Sequence, residues 1–381
     1  MSVVERMAGK RICICTGSGG VGKTTTAAAI AIGLAARGQR VAVVTIDPAR
    51  RLANALGLHQ LGNEPSMVEP GHFARHGLEL PGELWAMMLD SKRTFGDLID
   101  MLAPDASTRD EILANRIYQE LSSAVAGSQE FTAVAKLYEP DVSGRFDAIV
   151  LDTPPSRNAL DFLDAPQRLT GFLEGRALKV LTAPTGAAAK LAARASGVVF
   201  SALRHVTGVD LPADLSAFFL VLSGVVDGFA ERARAVDQLL SDPRNDLPRH
   251  HLARAGAGRG GHLLPPQAGG RRHAFGGLIV NRLRVLAPTE PAIDQRVLTA
   301  DLGGDGELAA RSVRALRDLR ALAQRDAASL GRLVAELDDE HPILVPQLDR
   351  EVSDVAGLVT VERFLFAQPR DRSAMLSAQA F

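Results

Sequence analysis

Residues Gly17-Ser18-Gly19-Gly20-Val21-Gly22-Lys23-Thr24 follow the pattern G-x-x-x-x-G-K-[ST]. That spacing is the chemistry of a phosphate cradle. Glycines let successive backbone N–H groups turn inward around phosphate oxygens. A helix opening at the end of the run adds partial positive charge. Lys23 brings a full charge for the β and γ phosphates, the Thr24 hydroxyl is of the kind that reaches Mg²⁺, and Thr25 stands within reach of an α phosphate. Such a site also needs a carboxylate at the end of a buried strand. Phe146 to Asp152 (FDAIVLD) supplies one, with Asp152 holding Mg²⁺ through water. Asp47 ends another apolar run. It is the candidate to orient or deprotonate an attacking water, a role that competes with simple helix capping. Guanine readers carry N-K-x-D, whereas Asn281 is followed by Arg282-Leu283-Arg284. The expected ligands are therefore ATP and Mg²⁺.

The elements that must position these residues are legible from apolar runs. Ile12–Cys15 reads as a strand, Thr24–Arg37 as a helix stopped by Gly38, and Val41–Ile46 as a second strand. Phe146–Leu151, Phe218–Leu222, Leu278–Val280 and Ile343–Val345 read as further strands. None has a polar face, the signature of a parallel sheet covered on both sides. The expected fold is α/β: a P-loop NTPase with a mostly parallel sheet flanked by helices. Residues 49–143 read as mostly helical, with breaks near 62–70 and 103–106, and 159–215 read as helical again. Val225–Leu240 reads as a helix, and Glu307–Leu337 as a long charged one.

Composition narrows the class. Lys plus Arg number 43 against 44 Asp plus Glu, a balance that makes nucleic acid an unexpected partner. Hydrophobic residues make up 46% and aromatics only 4%, so aliphatic side chains must fill the core. The two cysteines, Cys13 and Cys15, alternate along one strand and lie too close for an ordinary disulfide. They read as small apolar strand residues. The N-terminus has no apolar signal core, and the longest apolar runs fall short of the ~20 residues that span a bilayer. A soluble cytoplasmic protein is expected.

Four motifs occur in order: Gly19 to Thr25, Asp47-Pro48-Ala49, Asp152-Thr153-x-Pro155 and Val280-Asn281. Together they resemble the ATPases that include the arsenite-efflux ATPase and the eukaryotic ATPase targeting tail-anchored membrane proteins. More narrowly, the chain resembles the longer member of a paired actinobacterial set. The resemblance implies a nucleotide-gated dimer with an inserted helical subdomain, here about 80–135 and 160–215. It implies Asp47 as the catalytic acid residue of the first switch and Asp152–Arg157 as the second switch. It also implies Asn281 as the adenine contact, Pro346–Asp349 as the loop over the base, and a hydrophobic or membrane-protein client. Met87, Met88 and Met101 fit either an adaptable client groove or ordinary core.

The chain departs from that pattern in several ways. Ser18 stands where members of the wider group carry a Lys that reaches across the dimer to the partner's phosphates. A homodimer would lack this charge at both sites, so a heterodimer with a Lys-bearing homologous subunit is favoured. Two thiols in one strand cannot build the three-thiol arsenite site, and the paired cysteines of the zinc clasp are absent. The second switch reads Pro154-Pro155-Ser156-Arg157-Asn158 where A-P-T-G-H is more usual. Two alternatives stay open: a nucleotide-binding regulatory subunit with little turnover, or a ParA- or MinD-like spatial regulator. The second is weakened because Arg370–Phe381 is not a basic amphipathic helix.

Residues 244–273 are anomalous. They hold six Arg, four His, no Lys and no Glu, and no Val, Ile or Phe, where the family has a core strand. A basic arm and a disordered loop are two readings. The preferred one is a stretch translated out of frame. Asn245–Leu264, written in GC-rich codons and read one base later, yields TTFLVITSPEPAPVEEATF, an apolar strand followed by a turn. On that reading the chain lacks a core strand.

Overall fold

The computed structural model describes residues 1–46, 50–115, 144–153, 225, 228, 230–235, 238, 250–254, 276–285, 294–337 and 339–379, with the backbone alone for 91, 92, 95 and 250–254. The chain divides into two compact units. One comprises Met1–Met88, Phe146–Ala159 and Pro243–Phe381, the other Leu89–Arg145 and Leu160–Asp242.

The first unit is built on an eight-stranded sheet. Its strands are β1 (Ile12–Thr16), β2 (Arg40–Thr45), β3 (Ser66–Met67), β4 (Glu83–Met88), β5 (Ala148–Asp152), β6 (His250–Arg254), β7 (Gly277–Leu283) and β8 (Ile343–Pro346). The order is β3-β4-β2-β5-β1-β6-β7-β8. Every pairing is parallel except that of β3 with β4. From β1 the chain lays down β2, β3 and β4 on one side, returns to insert β5 between β2 and β1, and then crosses to add β6, β7 and β8 on the other. Such a reversal places ligands beyond the carboxyl ends of the central strands.

Helices cover both faces, so the strands need no polar face. Helix α1 (Val3–Met7) is closed by a capping box between Ser2 and Glu5. Helix α2 (Lys23–Ala35) is buried nearly all round, as an Ala- and Ile-rich helix must be. It packs on helix α9 (Val355–Phe366), where a Cβ on Gly33 would collide with the Phe366 ring. Cys13, Cys15, Val41, Val43, Val150 and Ile279 face this α2 and α9 core. Leu278 and Val280, one step out of phase, face Leu330, Leu333 and Leu337 of helix α8 (Gly306–Leu337). Shorter helices complete the unit: α3 (Arg51–Ala55), α4 (Gly71–Ala74), α7 (Gln295–Asp301) and α10 (Pro369–Ala378).

The second unit contains α5 (Ser91–Leu102), α6 (Ala106–Ala114) and a helical stretch at 230–235. Asp90 and Asp105 cap its first two helices by accepting from the Arg93 and Thr108 N–H groups. The break between α5 and α6 falls at 103–105, within the interval read from sequence. No helix among the described residues is long and apolar enough to cross a membrane.

The structure corrects three expectations. Residues 83–88 are not helical: ELWAMM forms β4 and pairs along its whole length with β2. Leu, Ala and Met tolerate helix well, and the sheet overrides that preference. Met87 is consequently buried inside a strand and lines no groove, whereas Met101 is exposed on α5. Second, the core strand expected to be missing is present in the backbone. His250–Arg254 pairs in parallel with both β1 and β7. Third, α1 has no counterpart in the sequence reading. The expected strand at 218–222, the helices of 116–135 and 160–215, and the rest of 244–273 lie outside the described residues.

Candidate phosphate and base site

The carboxyl ends of β1, β5 and β2 lie side by side. Cys15 is level with Asp152, and Asp152 is level with Thr45. The loop leaving β1 therefore passes next to the aspartate that ends β5. Asp152 is fully buried. Its Oδ2 accepts from the Thr24 hydroxyl at 2.7 Å and from the Thr45 hydroxyl at 2.9 Å. Thr153 follows, donating through its hydroxyl to the Cys15 carbonyl at 2.8 Å and tying β5 to β1.

The loop curls around its own lysine. Lys23 Nζ donates to the Gly17 carbonyl at 3.0 Å and to that of Ser18 at 3.1 Å. Gly22 precedes the helix in left-handed backbone, φ +91°, which favours glycine. Its Cβ would also collide with the Asn281 amide nitrogen. Ser18, Gly19 and Gly20 are exposed, so the loop presents backbone to solvent.

Asn281 is 6% exposed and reaches the loop from β7. Beside it lies a pocket of about 290 Å³, lined by Thr25, Asn281, Arg282, Val361 and the stretch from Pro346 through Val352. That is near the lower end of ligand-pocket size, ~300 Å³. Arg282 stands in left-handed backbone, φ +59°, at a break in the β7–β8 register.

Thus Gly17–Thr25, Asp152, Asn281 and Pro346 are gathered at one end of the sheet within one unit. Asp47, with Pro48 and Ala49, lies outside the described residues, as does the second switch beyond Thr153. Sequence reasoning missed Thr45. Its signal was present: a hydroxyl on the carboxyl side of an otherwise apolar run. It also missed the second contact made by Asn281, for which no local signal exists.

The two cysteines of β1 pack in the core beside this site. Both are buried, and neither forms a disulfide. The hydrogen bond with the neighbouring Cys13, then burial, push the Cys15 thiol well above its ordinary range.

A family model for anion-transporting ATPases matches residues 10–207, just over half of the chain. The chain belongs to the anion-transporting ATPase family. An uncharacterized protein of Streptomyces coelicolor is 29% identical over 355 residues, 92% of this chain and 80% of that protein. The ATPase GET3 of Rhodotorula glutinis is 33% identical over 162 residues, 42% of each chain. The ATPase get3 of Aspergillus terreus is 32% identical over 154 residues, 39% of this chain and 41% of its own length. Less than half of either fungal ATPase is spanned.

Proposed function

We propose that this chain binds Mg-ATP at the loop after β1 and hydrolyses it within a dimer whose partner is a Lys-bearing homologous subunit. The observation that carries the proposal is the convergence of Lys23, Thr24 and Asp152. A buried carboxylate and a helix-start hydroxyl already meet at 2.7 Å beside the buried lysine.

Their donor set fits Mg²⁺, which takes hard oxygens and keeps several waters. Thr24 would hold it, with Asp152 supporting through water. When bound, the ion neutralises charge on the phosphate oxygens. The protein's own groups do the rest. The backbone N–H groups of the loop and the start of α2 bind phosphate oxygens. Lys23 exchanges its two carbonyl contacts for the phosphates, adding a full charge at the bond to be broken. Asp47, two residues beyond β2, orients the attacking water and accepts its proton. Asn281 offers adenine its remaining N–H and its remaining lone pair, the pattern with which an amide reads adenine. The stretch from Pro346 forms the far wall of the base pocket.

Ser18 supplies no charge in trans, so the second subunit provides it. A charge of that kind is worth roughly 10³–10⁵ in turnover. The family resemblance extends the reading to a hydrophobic or membrane-protein client and to a cytoplasmic location.

Titration calorimetry tests the binding half. Wild type is expected to bind Mg-ATP more tightly than Mg-GTP, and Lys23→Ala to lose at least about tenfold in affinity. Equal affinity for both nucleotides, or an indifferent Lys23→Ala, would contradict it.

A further inference from the structure

We infer that Asn281 is a positioning residue for the phosphate loop, not only the base contact proposed above, so that base recognition and loop shape are one device. The inference rests on the nucleotide-binding reading and goes beyond it.

The Asn281 amide is held at both ends. Its Nδ2 donates to the Val21 carbonyl at 3.2 Å, and its Oδ1 accepts from the Arg282 N–H at 2.9 Å. The two contacts fix which end is which. With the amide flipped, oxygen would face oxygen and N–H would face N–H. The contact falls where the strand β7 breaks register, between Val280 and Leu283, with Arg282 in left-handed backbone.

The consequence lies in the loop. In a trans peptide the carbonyl and the next N–H point opposite ways. Gripping the Val21 carbonyl therefore fixes the direction of the Gly22 N–H. Gly22 immediately precedes Lys23, and its Cβ position is filled by the Asn281 amide nitrogen. Only glycine admits this close approach. Asn281 thus aims a loop amide that serves phosphate, from a strand 260 positions away in sequence.

A ligand without a base separates the two roles. Mg-tripolyphosphate and Mg-ATP are titrated into wild type and Asn281→Ala, with emission from the single tryptophan, Trp85 in β4, reporting that each protein is folded. A positioning role predicts that Asn281→Ala loses about tenfold in affinity for both ligands, the scale of one buried hydrogen bond. Unchanged tripolyphosphate binding with weakened ATP binding would leave Asn281 a base contact alone and overturn the inference. Unchanged binding of both would also overturn it. Failure of wild type to bind Mg-ATP would instead refute the nucleotide reading.

Two further variants guard the result. Asn281→Ser keeps a polar side chain too short to reach Val21 and is expected to show the same paired losses, whether or not the alanine variant folds. Gly22→Ala is then measured in both backgrounds. Its collision partner is gone in Asn281→Ala, so its loss of tripolyphosphate affinity is expected to shrink there. Equal losses in both backgrounds would contradict direct coupling.

Discussion

Asp152 is where the account is most exposed at the scale of single residues. One oxygen accepts two hydroxyls while the residue is sealed from solvent. Asp152→Asn keeps the shape but removes the charge, and its amide N–H₂ would oppose the hydroxyl donors. It is expected to lower Mg-ATP turnover by about 10²–10³-fold, the usual cost of one electrostatic group. Steady-state kinetics at saturating Mg²⁺, in the mixture with a Lys-bearing homologous subunit, checks this, and a loss below threefold would contradict the role. The phosphate loop was readable in the sequence because its chemistry is local: eight consecutive residues carry it. Asp152 was readable as a strand-end acid. Thr45 and the Val21 contact of Asn281 were not, because they join positions 107 and 260 residues apart. The hydroxyl of Thr45 near the end of its apolar run was a signal that a polar group stands there, but nothing local names Asp152 as its partner, and nothing local marks the Val21 contact.

At the scale of elements, most strands were legible from unbroken apolar runs, as burial on both faces requires. β4 was not, since Leu, Ala and Met suit a helix equally well. α1 was missed although Ser2 and Glu5 stand at capping-box spacing; Val3 and Met7 bury it in the core, and a distant clamp holds it. Arg6 donates to Asp339 at 3.0 Å and to the carbonyls of Gly276 and His341 at 2.8 and 2.6 Å. Both side chains are more than nine-tenths buried. Removing one partner of such a pair costs about 3–5 kcal/mol. Asp339→Ala is expected to lose that much stability in urea denaturation, and a loss under 1 kcal/mol would contradict the clamp. Burial pushes the Asp339 carboxyl up, but the Leu278 N–H, Arg6 and the His341 N–H outweigh it, leaving the group below its ordinary value. Because the folded pKa is depressed, its contribution is complete above the ordinary carboxylate value, ~4, and is lost as pH falls through the lowered one. The acid limb of the stability curve should flatten in Asp339→Ala.

β6 poses a different problem at this scale. Its backbone occupies the position between β1 and β7, where a buried strand is normally apolar, yet its sequence is HHLAR. The reading one base later places FLVIT near the same position. Resequencing the genomic DNA across codons 244–273 is expected to reveal a frame shift with a compensating shift before Gly276. An unshifted sequence would remove that explanation and make HHLAR the natural strand.

At the scale of the whole molecule, every described candidate residue falls in the sheet unit, so the proposed nucleotide site belongs to that unit. What it lacks by composition is a positive charge at position 18. Ser18 lies exposed on the loop, where a residue can face a second subunit. The resemblance made the missing charge legible; no residue pattern within this chain names the subunit that supplies it. The central claim is hydrolysis completed by a partner, and steady-state ATP turnover tests it most directly. The purified chain is assayed alone, mixed with a Lys-bearing homologous subunit, and as Ser18→Lys alone, with Lys23→Ala as the control. The account predicts near-background turnover for the chain alone, and activity in the mixture and in Ser18→Lys that Lys23→Ala abolishes. Full turnover by the unmixed wild-type chain would contradict it.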